Sequence, residues 1–347
     1  MNRVLVAMSG GVDSSLAAAL LQEQGMHVEG ATMKLTAGGC CDIGSAQAVC
    51  HVLGIPHRMI DARQEFAERV IKDFVSEYCS GRTPNPCIRC NDLVKFELLL
   101  GYARSHGFDA LATGHYARIE RDAGSGLFQL KKGLDANKDQ SYFLYRLNQE
   151  QMAHVLFPLG NRHKNDVRGI ARERGLPAAE RPESQEICFV PDNDYRSFLK
   201  ERAPEILRPG EIVMKDGAVV GCHEGIAFFT VGQRRKLGVA AGERLYVLGV
   251  DAGANRVVLG TKKDLEASEM TVSQVCMTSG QPLAAPIAVT VKIRYRSPFA
   301  AARIEPTGAD SVRVRFDRPV TGICPGQAAV FYDNDAVLGG GIILSPR

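Results

Sequence analysis

Along the first two hundred residues short apolar runs alternate with longer amphipathic segments, whereas beyond Pro204 and Pro209 β-branched runs recur at short spacing between glycine turns. The first pattern is that of βα units around a parallel sheet. Val4–Met8, Val28–Met33, Arg58–Ile60 and Ala110–Thr113 read as strands. Helices are expected between them at Ser14–Gln24, Ser45–Leu53, Gln64–Cys79 and Asp92–Ser105, the last with Asn91 as its N-cap. A glycine lies just beyond each of these helices, as a C-terminal stop. One hairpin, Ala117–Arg121 with Leu127–Lys131, interrupts the series. The second pattern predicts strands at Ile212–Met214, Val219–Val220, Ala227–Val231, Arg244–Val250, Arg256–Gly260, Ile287–Tyr295, Ser311–Phe316, Ala328–Tyr332 and Val337–Leu344. The expected architecture is α/β: a parallel-sheet domain over 1–200, a small β-rich domain over 205–265 and a barrel-like domain over 268–347.

Length and composition agree with this division. A chain of 347 residues exceeds one ordinary core, and 45% hydrophobic with 23% charged residues excludes disordered and fibrous classes. The apolar stretch Val4–Met8 is too short for a secretory signal, and no run long enough for a membrane span occurs, so a cytoplasmic protein is expected. In a reducing compartment, ten cysteines point to catalytic or metal-binding thiols rather than to disulfide scaffolding. The net charge of +3 is small, but residues 1–200 balance 24 basic against 24 acidic side chains, so the whole excess lies in the β-rich part.

Two segments carry chemistry. Ser9-Gly10-Gly11-Val12-Asp13-Ser14-Ser15 follows a predicted strand and opens a predicted helix, so backbone N–H groups and the positive end of the helix dipole converge on an anion. The absence of a Gly-Lys-Ser/Thr ending argues against a Walker-type loop. In Arg82-Thr83-Pro84-Asn85-Pro86-Cys87-Ile88-Arg89-Cys90-Asn91, the expected helix start after Cys90, with Arg89 and Lys95 nearby, favours a thiolate at that cysteine. Cys188 lies in an irregular segment, Glu183-Ser184-Gln185-Glu186-Ile187-Cys188-Phe189. Cys40 and Cys41 could reach the same place, while Cys50, Cys79, Cys222, Cys276 and Cys324 read as packing residues.

The Ser-Gly-Gly-Val-Asp-Ser loop resembles the PP-loop of N-type ATP pyrophosphatases, which cleave ATP between the α and β phosphates and adenylate an oxygen of the substrate. Further segments extend the likeness over nearly the whole chain, and with them it resembles the tRNA 2-thiouridylase family. They are Gly81–Cys90, Ala112–Arg118, Lys138–Leu144, Phe157–Gly160, Ile187–Phe189, Thr230–Arg234, Val291–Tyr295 and Pro325–Gln327. The resemblance implies adenylation of the C2 oxygen of wobble uridine by ATP with Mg2+, followed by replacement of that oxygen with sulfur. Cys188 would carry the sulfur as a persulfide, and Cys90 would be its disulfide partner. ATP would be held by Ala7, Met8, Ser9, Gly10, Gly11, Val12, Asp13, Ser14, Met33 and Gly114. The tRNA, of the Lys, Glu and Gln isoacceptors, would meet Asn85, Pro86, Cys87, His115, Lys138, Asp139, Gln140, Arg294, Tyr295 and Gln327. The sulfur would come from a cysteine desulfurase relay or from sulfide.

Cys87 departs from the best-known form of the family, which has an acidic residue at that position. The Cys-x-x-Cys so formed, with Cys188 as third thiol, allows a second route in which Cys87, Cys90 and Cys188 hold a 4Fe-4S cluster whose open iron binds sulfide. Period-2 alternation places Lys292, Arg294 and Arg296 on one face of a strand; Arg313 and Arg315 repeat the arrangement, and Gln233-Arg234-Arg235-Lys236 adds a basic run. Such stripes suit a phosphate backbone. Two other functions compete: a PP-loop amidotransferase or ligase acting on a small molecule, and a non-enzymatic metal-bound RNA-binding protein. The first has no use for paired thiols and a basic β-domain, and the second leaves the phosphate loop unexplained.

Overall fold

The computed structural model describes residues 2–37, 42–181, 187–239 and 242–346, so Cys40, Cys41 and Glu183 to Glu186 lie outside the described residues. Val4, Leu5 and Val6 are wholly buried, which is why the first strand reads as a continuous apolar run: both of its faces are covered, as in a parallel sheet. Strands β1 (Arg3–Ala7), β2 (His27–Lys34), β3 (His57–Asp61), β4 (Ala110–Ala112) and β7 (Val155–Leu156) form that sheet in the order β3-β2-β1-β4-β7. Helix α1 (Val12–Glu23) starts from the extended Gly11. Helix α2 (Ile43–Leu53) is capped by the Asp42 side chain, which accepts from Ser45 N–H, and ends at Gly54 with φ 65°. Two longer helices follow over 63–79 and 86–105, each with a π-wound stretch, in the second case from Cys90 to Leu99.

The hairpin of β5 (Ala117–Arg121) and β6 (Phe128–Lys132) leaves the first sheet altogether. A middle sheet is built from β8 (Gly210–Met214), β9 (Val219–His223), β10 (Tyr246–Asp251) and β11 (Arg256–Gly260) in the order β10-β11-β8-β9. The last sheet contains β12 (Glu266–Met277), β13 (Ile287–Lys292), β14 (Ala300–Gly308), β15 (Ser311–Thr321), β16 (Ala328–Asp333) and β17 (Ala336–Pro346). It closes on itself through β12 and β17, and β6 attaches to β17 at Ala336 opposite Lys131. The first-domain hairpin thus extends the barrel's sheet.

Four expectations are corrected. The fourth helix begins at Pro86 with Asn85 as its N-cap, and Asn91 lies buried inside it, donating to the Phe143 carbonyl. Proline at the first helical position needs no N–H partner, so it starts the helix rather than delaying it. Ala227–Val231 is not a strand: Ile226–Phe228 is a 3-10 turn, and Ile226, Ala227, Phe228 and Phe229 are all buried, leaving no alternation for a sheet. β13 stops at Lys292, so no continuous strand carries Arg294 and Arg296. β12 and β14, absent from the expected set, are long barrel strands whose pairing supplies what their mixed, alanine-bearing sequences do not advertise.

Candidate active site

The phosphate loop is held by its own residues. Gly10 has φ +80°, and the Ser14 hydroxyl accepts from Ser9 N–H at 3.2 Å. The hydroxyls of Ser14 and Ser15 lie 3.1 and 2.8 Å from the Gly11 carbonyl and donate to it. The Ser9 hydroxyl faces that of Ser14 at 3.3 Å, so two hydroxyls and the first amides of α1 gather at one point. Met8 and Met33 are buried beneath, on neighbouring strands. Asp13 does not enter the anion pocket: its carboxylate takes Lys164 Nζ at 2.6 and 2.7 Å and the Tyr116 hydroxyl at 2.7 Å. Lys164 is only 5% exposed and belongs to a helix 151 residues away, so no local signal could have marked it.

The loop packs against the residues that follow β4. A Cβ on Gly114 would lie 2.7 Å from the Asp13 carbonyl carbon and 2.8 Å from Ser14 N, so glycine is what lets the end of β4 press against α1. The next residue, His115, bonds Thr113 Oγ1 at 2.6 Å and packs between Phe96 and Phe157. Burial, and secondarily the charge of Lys95, hold its pKa well below the ordinary histidine value, so the imidazole is neutral. The Lys95 charge also reaches Cys87.

Cys87 and Cys90 stand one turn apart on the same side of the 86–105 helix. It is Cys87, not Cys90, that occupies the first turn, and its thiol is not activated. Although the residue is exposed at the surface, the protein around its thiol raises its pKa, the nearby Cys188 raises it further, and Lys95 opposes both. Arg89, expected to favour a thiolate, instead pairs with Asp73 at 3.2 Å. Cys188, exposed at the surface, lies close enough to Cys87 to act on it electrostatically although 101 residues separate them. None of the three is joined in a disulfide. Among the described residues no group of three or more His, Cys, Asp or Glu side chains is arranged to hold a metal ion. Cys87, Cys90 and Cys188 are thus not gathered as a set of metal ligands in this structure.

The turn leading into Cys87 is gripped from both β-rich domains. Thr83 N–H donates to the Pro325 carbonyl at 2.9 Å, and the Thr83 hydroxyl donates to that of Thr230 at 3.1 Å. Gln327 Nε2 donates to the carbonyls of Thr83 and Pro84 at 2.9 and 3.1 Å. Gly326 lies so close that a Cβ would come within 2.9 Å of the Thr83 backbone. Beside this turn is a cavity of about 200 Å³ lined by Asn85, Arg89, Tyr145 and Arg146 among others, with Arg89 and Arg146 already paired to Asp73 and Asp92.

The residues expected to touch RNA divide into two groups. Asp139 is buried, accepting from Gly133 and Ser141 N–H groups, and Gln140 clasps Tyr116 through both its backbone and its side chain. Both shape the loop that carries Lys138. Arg294 donates to the Val231 carbonyl at 2.9 Å, with its guanidinium beside Gly232 and Gly322, so it braces the middle domain against the barrel. Arg313 and Arg315 pair with Glu269 across the sheet, which cancels the second basic stripe. Arg234, Arg235 and Lys236 remain exposed. Of the cysteines read as packing residues, Cys50 and Cys324 are buried, but Cys222 is exposed.

A phosphate loop on a parallel sheet, facing thiols that two β-rich domains hold in place, defines a nucleotide-dependent sulfur-handling architecture. Comparison with known proteins agrees with the three-part division. A model described as a tRNA methyl transferase HUP domain matches residues 2–192, a tRNA methyl transferase PRC-barrel domain matches 196–261, and an aminomethyltransferase beta-barrel domain matches 267–343. Three proteins named tRNA-specific 2-thiouridylase MnmA are similar over almost their full length. That of Desulforamulus reducens is 48% identical over 98% of this chain and 96% of its own. The MnmA 1 of Caldanaerobacter subterraneus is 47% identical over 99% and 98%, and the protein of Acetivibrio thermocellus 47% over 98% and 99%. The chain belongs to the tRNA-specific 2-thiouridylase family.

Proposed function

We propose that this protein is a tRNA 2-thiouridylase that uses ATP to activate the C2 oxygen of the wobble uridine and replaces it with sulfur. The observation that carries the reading is a phosphate loop at the head of α1, pressed against Gly114 beyond β4, in one chain with Cys87 and a Cys188 brought near it across 101 residues. ATP enters as its Mg2+ complex and sets its phosphates against Ser9–Ser14, with the adenosine toward Met33. The uridine O2 attacks the α phosphorus, pyrophosphate leaves, and C2 then bears AMP, a far better leaving group than a carbonyl oxygen. The terminal sulfur of a Cys188 persulfide attacks C2 and AMP departs. The Cys90 thiolate then attacks the Cys188 sulfur, breaking the S–S bond, forming a Cys90–Cys188 disulfide and leaving the sulfur on the base. An external thiol reductant restores both cysteines.

Neutral His115 can hydrogen-bond the base without adding charge. Asn85, through its cap on Ile88 N–H, orients the turn beneath the base. Cys87, whose pKa is raised rather than lowered, would offer its S–H as a proton or hydrogen-bond donor where the best-known relatives have an acid. The proposed tRNAs are the Lys, Glu and Gln isoacceptors, and the sulfur source is a desulfurase relay, which passes the outer sulfur of its own persulfide to the Cys188 thiolate, or sulfide, which attacks the Cys90–Cys188 disulfide left by the previous turnover, giving the Cys188 persulfide and releasing the Cys90 thiol. Incubation with ATP, a sulfur donor and unmodified tRNA should yield AMP, pyrophosphate and 2-thiouridine. AMP release on a small amide-forming substrate without tRNA, or tRNA binding with no ATP turnover, would overturn the proposal.

A further inference from the structure

Phe299 is 43% exposed on the barrel, next to the seam where the β5–β6 hairpin joins it. Two ammonium groups attend its ring: Lys132 Nζ lies 3.8 Å and Lys292 Nζ 5.0 Å from the centroid, while Tyr332 packs edge-on at 5.1 Å. The two lysines come from different domains and repel one another, and Asp139 is the acid whose charge acts on both. Lys132 also donates to the Asn334 carbonyl, and Asp335 acts on it as well. What sets this exposed ring apart is that two cations from different domains converge on it, each within cation–π distance.

The patch is joined to the thiol helix. Asn91, next to Cys90, donates to the Phe143 carbonyl at 3.2 Å, and the Phe143 ring lies 4.5 Å from that of Tyr295. Lys292 Nζ sits 5.5 Å from the Tyr295 ring and 5.0 Å from that of Phe299. Aromatic rings and cations thus alternate from the reactive helix to the outer barrel face. Single-stranded RNA is held in this way, its unstacked bases laid on aromatic rings and its phosphates on adjacent cations.

We propose that Phe299 is a stacking platform for an unpaired nucleotide of the bound tRNA, with Lys132 and Lys292 taking its phosphate. The site rests on the tRNA reading above and adds to it a contact outside the thiol pocket. The test is tRNA affinity of the full chain at fixed salt, measured with unmodified tRNA. Phe299→Ala and Phe299→Leu should both weaken binding roughly tenfold, and Phe299→Trp should restore it, because every base has a π-face to stack. Lys292→Ala should lower the slope of log affinity against log salt by about one. ATP binding should stay unchanged in every variant, which guards against misfolding.

Wild-type affinity in Phe299→Ala, or full rescue by leucine, would overturn the platform, since the ring would then serve only packing. Unchanged tRNA affinity combined with slower thiolation from a protein sulfur donor, but not from free sulfide, would overturn it in favour of a donor-docking face. Failure of the unaltered protein to bind tRNA would instead remove the functional reading beneath it.

Discussion

In the phosphate loop, residues 8 to 15 make most of their own geometry: a positive-φ glycine, an extended Gly11 and three serine hydroxyls bonding within the segment. In the thiol site nothing is self-sufficient. The Cys87 helix is started by Asn85, its approach turn is pinned by Thr230, Pro325 and Gln327, and Cys188 arrives from a segment 101 residues downstream. The difference teaches that the phosphate loop's geometry is written in consecutive residues, whereas the thiol site's geometry depends on contacts from both β-rich domains.

The strongest way to break this comparison is to remove sulfur chemistry alone. Cys188→Ser or Cys90→Ser should reduce 2-thiouridine formation by roughly a thousandfold or more while ATP binding remains, as expected for residues that act as one covalent unit. A parallel loss of ATP binding would mean that the two sites are not separable. Next, Asp13→Asn leaves Lys164 buried without its carboxylate, and should cost about 2–3 kcal/mol of stability, the partial exposure of Asp13 softening the usual penalty. Chemical denaturation would read it, with ATP affinity falling alongside.

A milder substitution sharpens the contrast. Gln327→Ala removes two hydrogen bonds to the turn before Cys87, about 1–2 kcal/mol of local restraint, and should slow thiolation severalfold at unchanged ATP affinity. Equal effects on both activities would show the turn to be coupled to the phosphate loop. The smallest effect is in pH dependence. Burial lowers the pKa of His57, His115 and His223, so below about 6.5 the unfolded chain binds protons that the folded chain does not. Stability should therefore decline as pH falls from 7 toward 5.5. The depressed carboxylates, Asp61 and Asp264 at about 2, contribute their loss only below about pH 4, outside that window. Urea midpoints at the two pH values check this, and His115→Gln should flatten the slope.

Much of the first domain was legible because its signals are local. Apolar runs, glycine stops and the serine-glycine loop each act within a few residues, and all four predicted strands of the parallel sheet are present. The same logic failed at Asn91, where a proline five residues earlier had already opened the helix. It failed again at Arg294, whose alternation with Lys292 has meaning only while a strand continues, and the strand ends first. β12 and β14 escaped notice because a barrel strand is specified by its partners' hydrogen bonds as much as by its own side chains.

By itself, the sequence determined that a serine-glycine phosphate-loop motif sits on a βα unit, that a Cys-x-x-Cys precedes a helical segment, and that the second half is β-rich. Only the tertiary structure decided that Cys188 lies near Cys87, that Asp13 is held by Lys164, and that a barrel residue, Gln327, grips the turn before the thiols. The reason is physical. A phosphate nest is made by consecutive amides, whose geometry the local residues dictate, while a thiol's acidity and aim depend on desolvation and charge supplied by whatever folds around it.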